Sequence, residues 1–357
     1  MPGERRKSAL HWRLRLAPAA GLWHDGRVES LTVLEFIRDP VAVWNLPRPL
    51  VEGLEREFPS VRFIAPRDRA EADRLLPGAE VVLGWAVRPE NFALAKRLRW
   101  IQVTAAGVGP MLFPALVESP VILTNGRGLH AAAMAEHTLG VMFAFVRKLH
   151  LARDAQRERR WLQRELWSEP PDFGELAGST IGLVGFGAVG TAIAVRARAL
   201  GLTVIAVRRH PATDPAPAHE QWGVERLPEL LARADWLVLA APHTGETRGL
   251  IGRGELARIK PGAVLVNLGR GALVDQAALI EALEHGRLAG AALDVFEHEP
   301  LDPESRLWSL PQVIVTPHIS GLGPRYWERS VELFASNLRA FLAGKPLVNI
   351  VDKRAGY

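Results

Sequence analysis

One segment constrains the fold of this chain more than any other. Residues 180–209, TIGLVGFGAVGTAIAVRARALGLTVIAVRR, run from an apolar stretch through three glycines into a helical pattern and a second apolar stretch. In such a strand–turn–helix–strand unit, Gly185 would permit a tight turn, Gly187 would let a pyrophosphate approach the backbone, and Gly190 would let the helix pack on the strand. The helix N-terminus would attract the anion. The segment therefore predicts a Rossmann-type dinucleotide-binding domain.

Two series of apolar runs organise the rest of the chain. From Leu31 the runs are LTVLEFI, VRFIA, AEVVLGW and RWIQVTAAGVG, with LVEGLEREF and NFALAKRL between them. After SEPPDFGELAGS the runs are TIGLVGFG, TVIAVRR, WLVLAAP, AVLVNLG, GAALDVF and VIVTPHIS. Short β-rich runs that alternate with helical patterns are typical of α/β domains with a parallel sheet. Because 357 residues exceed the ~250–300 that one core usually holds, we expect two domains.

Three further segments have recognisable patterns. HAAAMAEHTLGVMFAFVRKLHLARDAQRERRW is apolar in its first half and charged at its end, which predicts one long helix that leaves a buried region for solvent. PRYWERSVELFASNLRAFLAG predicts one amphipathic helix, and HPATDPAPAHE predicts a loop.

Composition excludes several classes of function. The chain has no Cys, which rules out disulfides, thiolate metal ligands and Cys nucleophiles, and we predict no metal site. No apolar run approaches 18 residues, so we expect no membrane span and a cytoplasmic location. The net charge of +5 comes largely from GERRKSALHWRLRL and RDAQRERRWLQR, neither of which resembles a nucleic-acid-reading face. Residues 1–30 are predicted to be a poorly ordered extension, with a transit peptide as the alternative.

The end of the second strand of the nucleotide unit indicates which dinucleotide binds. An NAD site usually carries Asp or Glu there for the ribose hydroxyls, whereas this strand runs into Arg208 and Arg209. A guanidinium pairs with a 2′-phosphate, which a carboxylate would repel. The sequence therefore favours NADP. The alternative is that the two arginines only coat the sheet edge and NAD is accepted.

Three polar residues follow late strands of the same domain, where open α/β sheets bind their ligands. They are Arg270 after AVLVN, Glu299 in LDVFEHEP and His318 in VTPHIS. Taken singly, each could be a turn, surface or partly buried residue. Together they suit hydride transfer to a 2-oxo acid: Arg270 would hold the carboxylate, His318 would protonate the carbonyl oxygen, and Glu299 would orient the imidazole. Gly269 and Gly271 would keep nicotinamide and substrate uncrowded beside Arg270.

The ordered motifs resemble one family, the D-isomer-specific 2-hydroxyacid dehydrogenases. They are TAAGVG, TNGRGLHAAAMAEHTLGVMFA, GELAGSTIGLVGFGAVG, LAAPHTGETRGLIG, LVNLGRGALVDQAAL, GAALDVFEHEPL and VIVTPHISG. The resemblance covers Leu31 to Tyr357. It implies an NAD(P)-dependent reductase of a small 2-oxo acid, most similar to glyoxylate/hydroxypyruvate reductases.

The resemblance also implies roles for individual residues. Arg270, Glu299 and His318 would be the catalytic set, and Ala106 and Gly107 would join Arg270 in binding the substrate carboxylate through backbone N–H groups. The residues implied around the dinucleotide are Gly185, Gly187, Ala188, Val189, Gly190, Arg208, Arg209, Pro242, Thr247, Leu268, Arg270, Asp294, His318, Ser320 and Gly321. Of these, Asp294 would lie by the nicotinamide.

The implied fold has two doubly wound parallel-sheet domains. A Rossmann-type nucleotide domain, residues 129–320, would be inserted into a discontinuous flavodoxin-like substrate domain, residues 31–128 and 321–357. The family is usually dimeric through the nucleotide domain, so the charged arm from Arg153 to Pro171, with Trp161 and Trp167, is predicted as a homodimer element. A solvated helix end is the alternative.

Two other functions stay open at this stage. The first is a dinucleotide-sensing binding protein of the co-repressor type, which the lack of long partner-binding extensions disfavours. The second is the same chemistry on phosphoglycerate, formate or phosphite. The end of the chain at Tyr357 leaves no room for a regulatory domain, which disfavours phosphoglycerate.

Overall fold

The computed structural model describes residues 30–168 and 173–356. The predicted N-terminal extension lies outside the described residues except for Ser30. The chain forms two compact units. Of the described residues, the first unit contains 30–104, 110–125 and 330–351, and the second contains 105–109, 126–168, 173–329 and 352–356. The predicted domain limits, 31–128 with 321–357 and 129–320, stay predictions.

The first unit contains a five-stranded parallel sheet. Its strands are β1 (Leu31–Phe36), β2 (Val61–Ile64), β3 (Val81–Gly84), β4 (Trp100–Gln102) and β5 (Ile122–Thr124). Their order, β2-β1-β3-β4-β5, is that of flavodoxin-like sheets. The helices of its first part are α1 (Arg48–Glu57), α2 (Arg69–Leu75) and α3 (Pro114–Val117). Most side chains of β1, β3 and β4 are buried, as expected for parallel strands covered on both faces.

The second unit contains a seven-stranded parallel sheet. Its elements are α4 (Ala131–Val146), α5 (Leu149–Arg157), α6 (Gln163–Ser168), β6 (Thr180–Val184), α7 (Ala188–Ala199), β7 (Thr203–Val207), β8 (Glu220–Trp222), α8 (Leu227–Arg233), β9 (Trp236–Leu239), α9 (Arg253–Arg258), β10 (Val264–Asn267), α10 (Gln276–Glu284), β11 (Gly290–Leu293) and β12 (Val313–Val315). The order β12-β11-β10-β9-β6-β7-β8 is the Rossmann order with one more strand at one edge.

The last helix, α11 (Tyr326–Leu342), begins in the second unit and ends in the first. Within the first unit its Phe334 stacks on Trp100 of β4, with ring centroids 5.2 Å apart. Short 3-10 turns connect the other elements, at Ala42–Trp44, Leu76–Gly78, Phe92–Leu94, Gly109–Met111, Val224–Arg226, Gly271–Leu273 and Arg306–Trp308.

The core of the second unit explains why its strands have continuous apolar sequences. Along β7, Val204 and Ala206 pack into one hydrophobic cluster, whereas Ile205 and Val207 pack into the other. Successive strand residues point to opposite faces, so both faces of the sheet are buried. The predicted fold class, α/β with two parallel sheets, is confirmed.

Some predicted elements differ from the structure. NFALAKRL forms only the 3-10 turn Phe92–Leu94, and no prediction was made for α2, β5 or β8. None of the helices in the described ranges is both long and apolar enough to cross a bilayer.

The predicted long helix is wrong, because it breaks into α4 and α5 at Lys148. This residue has a left-handed φ of 51° and is 2% exposed. Its ammonium donates to the carbonyl of Leu166, in the last turn of α6, where helix carbonyls lack intrahelical donors. The ring of Phe173 also lies near the ammonium, with its centroid 4.8 Å away. The break therefore places a buried lysine where it can hold α6.

Candidate active site

The predicted site residues of the second unit follow the carboxyl ends of its strands. Because all seven strands are parallel, these ends share one edge of the sheet. Gly185 follows β6, Arg208 follows β7 and Pro242 follows β9. Arg270 follows β10, Asp294 follows β11 and His318 follows β12.

The three glycines after β6 have different surroundings. Gly185 has a φ of +94°, and a Cβ atom there would lie 2.6 Å from the backbone nitrogen of Ala241. At Gly190 a Cβ atom would lie 2.5 Å from the carbonyl oxygen of Gly185. At Gly187 it would meet no atom within 4 Å. The outer glycines are thus required by the fold, and the middle one leaves open space beside the backbone.

That open space fits a dinucleotide pyrophosphate. Helix α7 begins at Ala188, directly after Gly187, and Ala188 is exposed while Val189 is half-buried. The first backbone N–H groups of a helix have no intrahelical acceptors and attract anions. The residues present therefore suit the predicted phosphate-binding loop.

The two arginines after β7 are not equivalent. Arg209 forms an ion pair with Glu246, whose side chain is largely exposed. Arg208 donates its backbone N–H to Trp222, and its side chain is half-buried. Among the described residues, Arg208 has no carboxylate partner. Of these two guanidinium groups, only that of Arg209 is therefore already paired with a carboxylate among the described residues.

The turn after β10 is held by Asn267, which sequence reasoning missed. This buried amide donates to the carbonyl of Arg270 at 3.1 Å and accepts from the backbone of Gly269 at 3.1 Å. Arg270 is exposed, and its Nη1 donates to the carbonyl of Gly269 at 2.7 Å. A polar residue that ends an apolar strand was the available signal for Asn267.

The glycines beside Arg270 make close contacts within the protein. A Cβ atom at Gly271 would lie 1.8 Å from the carbonyl carbon of Phe296. At Gly269 it would lie 2.7 Å from Leu273 and 2.9 Å from the carbonyl oxygen of Ala241. Contacts within the protein therefore explain both glycines, and crowding of nicotinamide or substrate is not needed to explain them.

Gly107 lies against the Arg270 guanidinium. A Cβ atom at Gly107 would be 2.7 Å from Nη2 of Arg270. The loop Ala105–Gly109 belongs to the second unit, and Ala106 is exposed within it. The structure thus brings together Gly107 and Arg270, two of the residues predicted to hold the substrate carboxylate.

His318 and Glu299 form a hydrogen-bonded pair. The imidazole Nδ1 lies 2.7 Å from Oε2 of Glu299, and Oε1 of the same carboxylate accepts from the backbone of Phe296 at 3.1 Å. Because a carboxylate accepts the bond, Nδ1 carries the hydrogen and Nε2 is left for another partner. Both side chains are partly exposed. The pair has the arrangement of an oriented acid–base histidine.

Asp294 fixes the loop that carries His318. Its buried carboxylate accepts from the hydroxyl of Thr316 at 2.6 Å and from the backbones of Ile319 and Ser320 at 2.9 and 3.0 Å. Its carbonyl accepts from the backbone of His318 at 2.9 Å, where φ is 55°. Three hydrogen bonds to this carboxylate satisfy a buried charge. The implied position beside the nicotinamide stays a prediction.

The remaining predicted cofactor residues are either hydrogen-bonded within their loops or buried. The Thr247 hydroxyl donates to the carbonyl of Pro242 at 2.7 Å in the loop after β9. Leu268 and Ser320 are buried, so only the main chain of Leu268 could face a ligand. The Gly321 carbonyl accepts a hydrogen bond from His130.

Two histidines of the segment that contains α4 approach this region and were not predicted. His130 lies just before the helix, with Nδ1 2.7 Å from the Gly321 oxygen and its ring stacked on Tyr326. His137 Nε2 lies 3.4 Å from the Thr316 hydroxyl. Burial lowers the pKa of His130 and of His137 below the ordinary histidine value. Burial therefore favours the neutral form of both rings.

Comparison with known proteins gives consistent results. Residues 139–320 match the model of the family described as D-isomer specific 2-hydroxyacid dehydrogenase, NAD binding domain. A glyoxylate reductase of Pyrococcus furiosus is 35% identical over 303 residues, which are 84% of this chain and 87% of that protein. A D-3-phosphoglycerate dehydrogenase of Archaeoglobus fulgidus is 33% identical over 303 residues, 84% of this chain and 53% of that protein. The chain thus spans about half the length of this relative.

A solved structure extends the similarity to the fold. The NADPH-dependent glyoxylate/hydroxypyruvate reductase of Sinorhizobium meliloti, in complex with NADP and sulfate, superposes with a TM-score of 0.75 at 28% identity. The match covers 92% of this chain and 100% of that chain.

Proposed function

We propose that this chain, because it belongs to the D-isomer specific 2-hydroxyacid dehydrogenase family, is a reductase that uses NADPH to convert small 2-oxo acids to 2-hydroxy acids. Glyoxylate and hydroxypyruvate are the proposed substrates. The observation that carries the proposal is the His318–Glu299 pair on the same sheet edge as Arg270 and the glycine loop.

Each of these side chains has one task in the proposed reaction. Arg270 holds the substrate carboxylate, because a guanidinium can donate two parallel hydrogen bonds to it. The backbone of Gly107, which lies against the guanidinium, donates to the same carboxylate. His318 donates the proton of Nε2 to the oxygen on C2, and Glu299 keeps the ring oriented through Nδ1. The bound nicotinamide supplies the hydride that C2 receives. The product is then a hydroxyl group at C2.

The preference for NADPH rests on the strand end at β7. Arg208 has no carboxylate partner in the described part of the chain, so its guanidinium is available to a 2′-phosphate. Arg209 would have to share its charge between that phosphate and Glu246. We therefore expect Arg208 to contribute more to the preference than Arg209.

A substrate and cofactor panel tests the proposal. Purified protein is assayed with NADPH and NADH against glyoxylate, hydroxypyruvate and 3-phosphohydroxypyruvate. We expect turnover of the first two acids and a higher kcat/KM with NADPH. His318→Gln should lower kcat roughly 10²–10⁴-fold, the usual contribution of a general acid, and leave NADPH binding intact.

The matched control is His285→Gln, because His285 is exposed at the end of α10 and bonds only the carbonyl of Glu281 among the described residues. It should keep full activity. No turnover of any 2-oxo acid would exclude the proposed function, and preferential turnover of the phosphorylated acid would assign the phosphoglycerate-type substrate instead.

We also propose that the protein is a homodimer through its second unit. In the predicted arm, Trp161 is 84% exposed and Trp167 is also exposed, and large aromatics are enriched at interfaces. Residues 169–171 of this arm lie outside the described residues. Light scattering of the purified protein measures the mass, and a monomer would contradict this part of the proposal.

A further inference from the structure

His130 is held rigidly in the second unit. Its ring stacks on Tyr326, with centroids 5.0 Å apart and an interplanar angle of 15°. Its Nδ1 lies 2.7 Å from the Gly321 oxygen, and a Cβ atom at position 321 would lie 3.1 Å from the same nitrogen. The stack and the hydrogen bond together fix the orientation of the ring.

The hydrogen bond to Gly321 also determines the tautomer. A carbonyl oxygen can only accept, so Nδ1 must carry a hydrogen. In the neutral ring Nε2 then has a lone pair and acts as an acceptor. Burial lowers the pKa of His130 and the Arg270 guanidinium lowers it further, whereas the hydrogen bond to the Gly321 carbonyl raises it. The net effect favours the neutral ring. Gly321 follows His318 by three residues, so the ring lies against the loop that carries the proposed acid.

Nε2 of His130 has no hydrogen-bond partner among the described residues, and the ring is only half-buried. A bound substrate can supply a donor to this acceptor. The carboxylate and carbonyl of a 2-oxo acid are acceptors themselves, and Arg270 and His318 provide the donors for them. The donor that a hydroxypyruvate-type acid adds is the hydroxyl group on C3.

We propose that His130 is a specificity-determining residue whose Nε2 accepts a hydrogen bond from the C3 hydroxyl of the substrate. The site then distinguishes 3-hydroxy-2-oxo acids from 2-oxo acids that lack this group. This inference rests on the proposed function and names its preferred substrate class.

The test compares two acids that differ only in the group of interest. Hydroxypyruvate carries a hydroxyl on C3, whereas pyruvate carries a hydrogen there. We expect His130→Asn to lower kcat/KM for hydroxypyruvate about fivefold, the equivalent of one neutral hydrogen bond, and to change that for pyruvate less than about twofold. An Asn amide can still donate to Gly321 from the position of Nδ1, but it does not reach the position of Nε2.

Two further variants separate recognition from positioning. His130→Phe keeps a ring on Tyr326 and removes both nitrogens, so it should also lose the preference for hydroxypyruvate. His130→Gln can place an amide oxygen near the position of Nε2, so this variant should recover part of the preference for hydroxypyruvate over pyruvate. If His130 only positioned the His318 loop through Gly321, pyruvate and hydroxypyruvate would lose activity by the same factor, and the proposal would be wrong.

The wild-type protein provides a test that does not depend on folding of the variants. It should have a higher kcat/KM for hydroxypyruvate than for pyruvate, and equal values would overturn the role of His130 while leaving the reductase function intact. Absence of turnover with every 2-oxo acid would overturn the proposed function and this inference together.

Discussion

The two glycine turns at the active edge of the second sheet contain the same residue for opposite reasons. After β6, a Cβ atom at Gly187 would enter open space in front of α7. After β10, a Cβ atom at Gly271 would overlap the backbone of Phe296. The first glycine leaves room for a ligand, and the second lets two segments of the protein touch.

A glycine in a functional turn does not by itself indicate a ligand. Arg270 lies next to Gly271 and exposes its side chain, whereas Gly271 is buried. In the β10 turn, chemistry and packing are therefore divided between adjacent residues. In the β6 turn, Gly187 leaves space for a ligand, whereas close contacts require glycine at Gly185 and Gly190. Substitutions in the two turns should separate these contributions.

The largest expected effect is on catalysis, from Arg270→Ala. Within the described part of the chain, the exposed guanidinium makes one hydrogen bond, to the carbonyl of Gly269, so its loss should hardly affect the melting temperature. Removal of a donor that stabilises developing charge should lower kcat/KM roughly 10²–10³-fold. Steady-state kinetics with hydroxypyruvate measure the loss.

Two controls accompany this variant. Arg253→Ala removes another exposed guanidinium, one that pairs with Glu281 away from the site, and should keep full activity. Arg270→Lys keeps the charge without the planar fork and should recover only part of the activity. An Arg270→Ala protein with more than a tenth of the original kcat/KM would contradict the assigned role.

The next effect is on stability, from Gly271→Ala. A methyl group 1.8 Å from the Phe296 carbonyl carbon forces the backbone to move. Overpacking of this kind should lower the free energy of unfolding by about 3 kcal/mol. Urea denaturation measures it. Gly254→Ala in α9 is the matched control, because no atom lies near its Cβ position and alanine favours a helix by roughly 0.5–1 kcal/mol.

The smallest effect is on cofactor binding, from Gly187→Ala. The new methyl group meets no protein atom, so the melting temperature should stay the same. It should instead displace the pyrophosphate and weaken NADPH binding roughly tenfold, which corresponds to about 1.4 kcal/mol. Fluorescence titration with NADPH gives the dissociation constant. Unchanged affinity would mean that the cofactor does not approach this backbone.

Sequence alone predicted much of the fold, because the strands of buried parallel sheets are continuous apolar runs. It also predicted Arg270, Glu299 and His318 as a set, since each follows a strand and the ends of parallel strands meet at one edge. The match of residues 139–320 confirms the predicted family. The catalytic roles proposed for Arg270, Glu299 and His318 stay predictions.

The missed features depend on contacts between distant residues. His130 gains its environment from Gly321, 191 positions later in the chain. The close contact of Gly271 with the backbone of Phe296 joins two positions that nothing in the local sequence connects. Likewise, the helical pattern is interrupted at Lys148, whose ammonium contacts the Leu166 carbonyl 18 positions later. Local patterns contain no information about such partners.

The contact between Gly271 and Phe296 links the turn that carries Arg270 to the segment that holds Glu299. Phe296 touches the turn that carries Arg270, and its backbone nitrogen holds the Glu299 carboxylate that orients His318. The spacing between Arg270 and His318, which we propose to bind the carboxylate and to donate the proton, is thus set by main-chain contact between neighbouring loops. Residues proposed to select the substrate, such as His130, could then be exchanged during evolution without a change in that spacing.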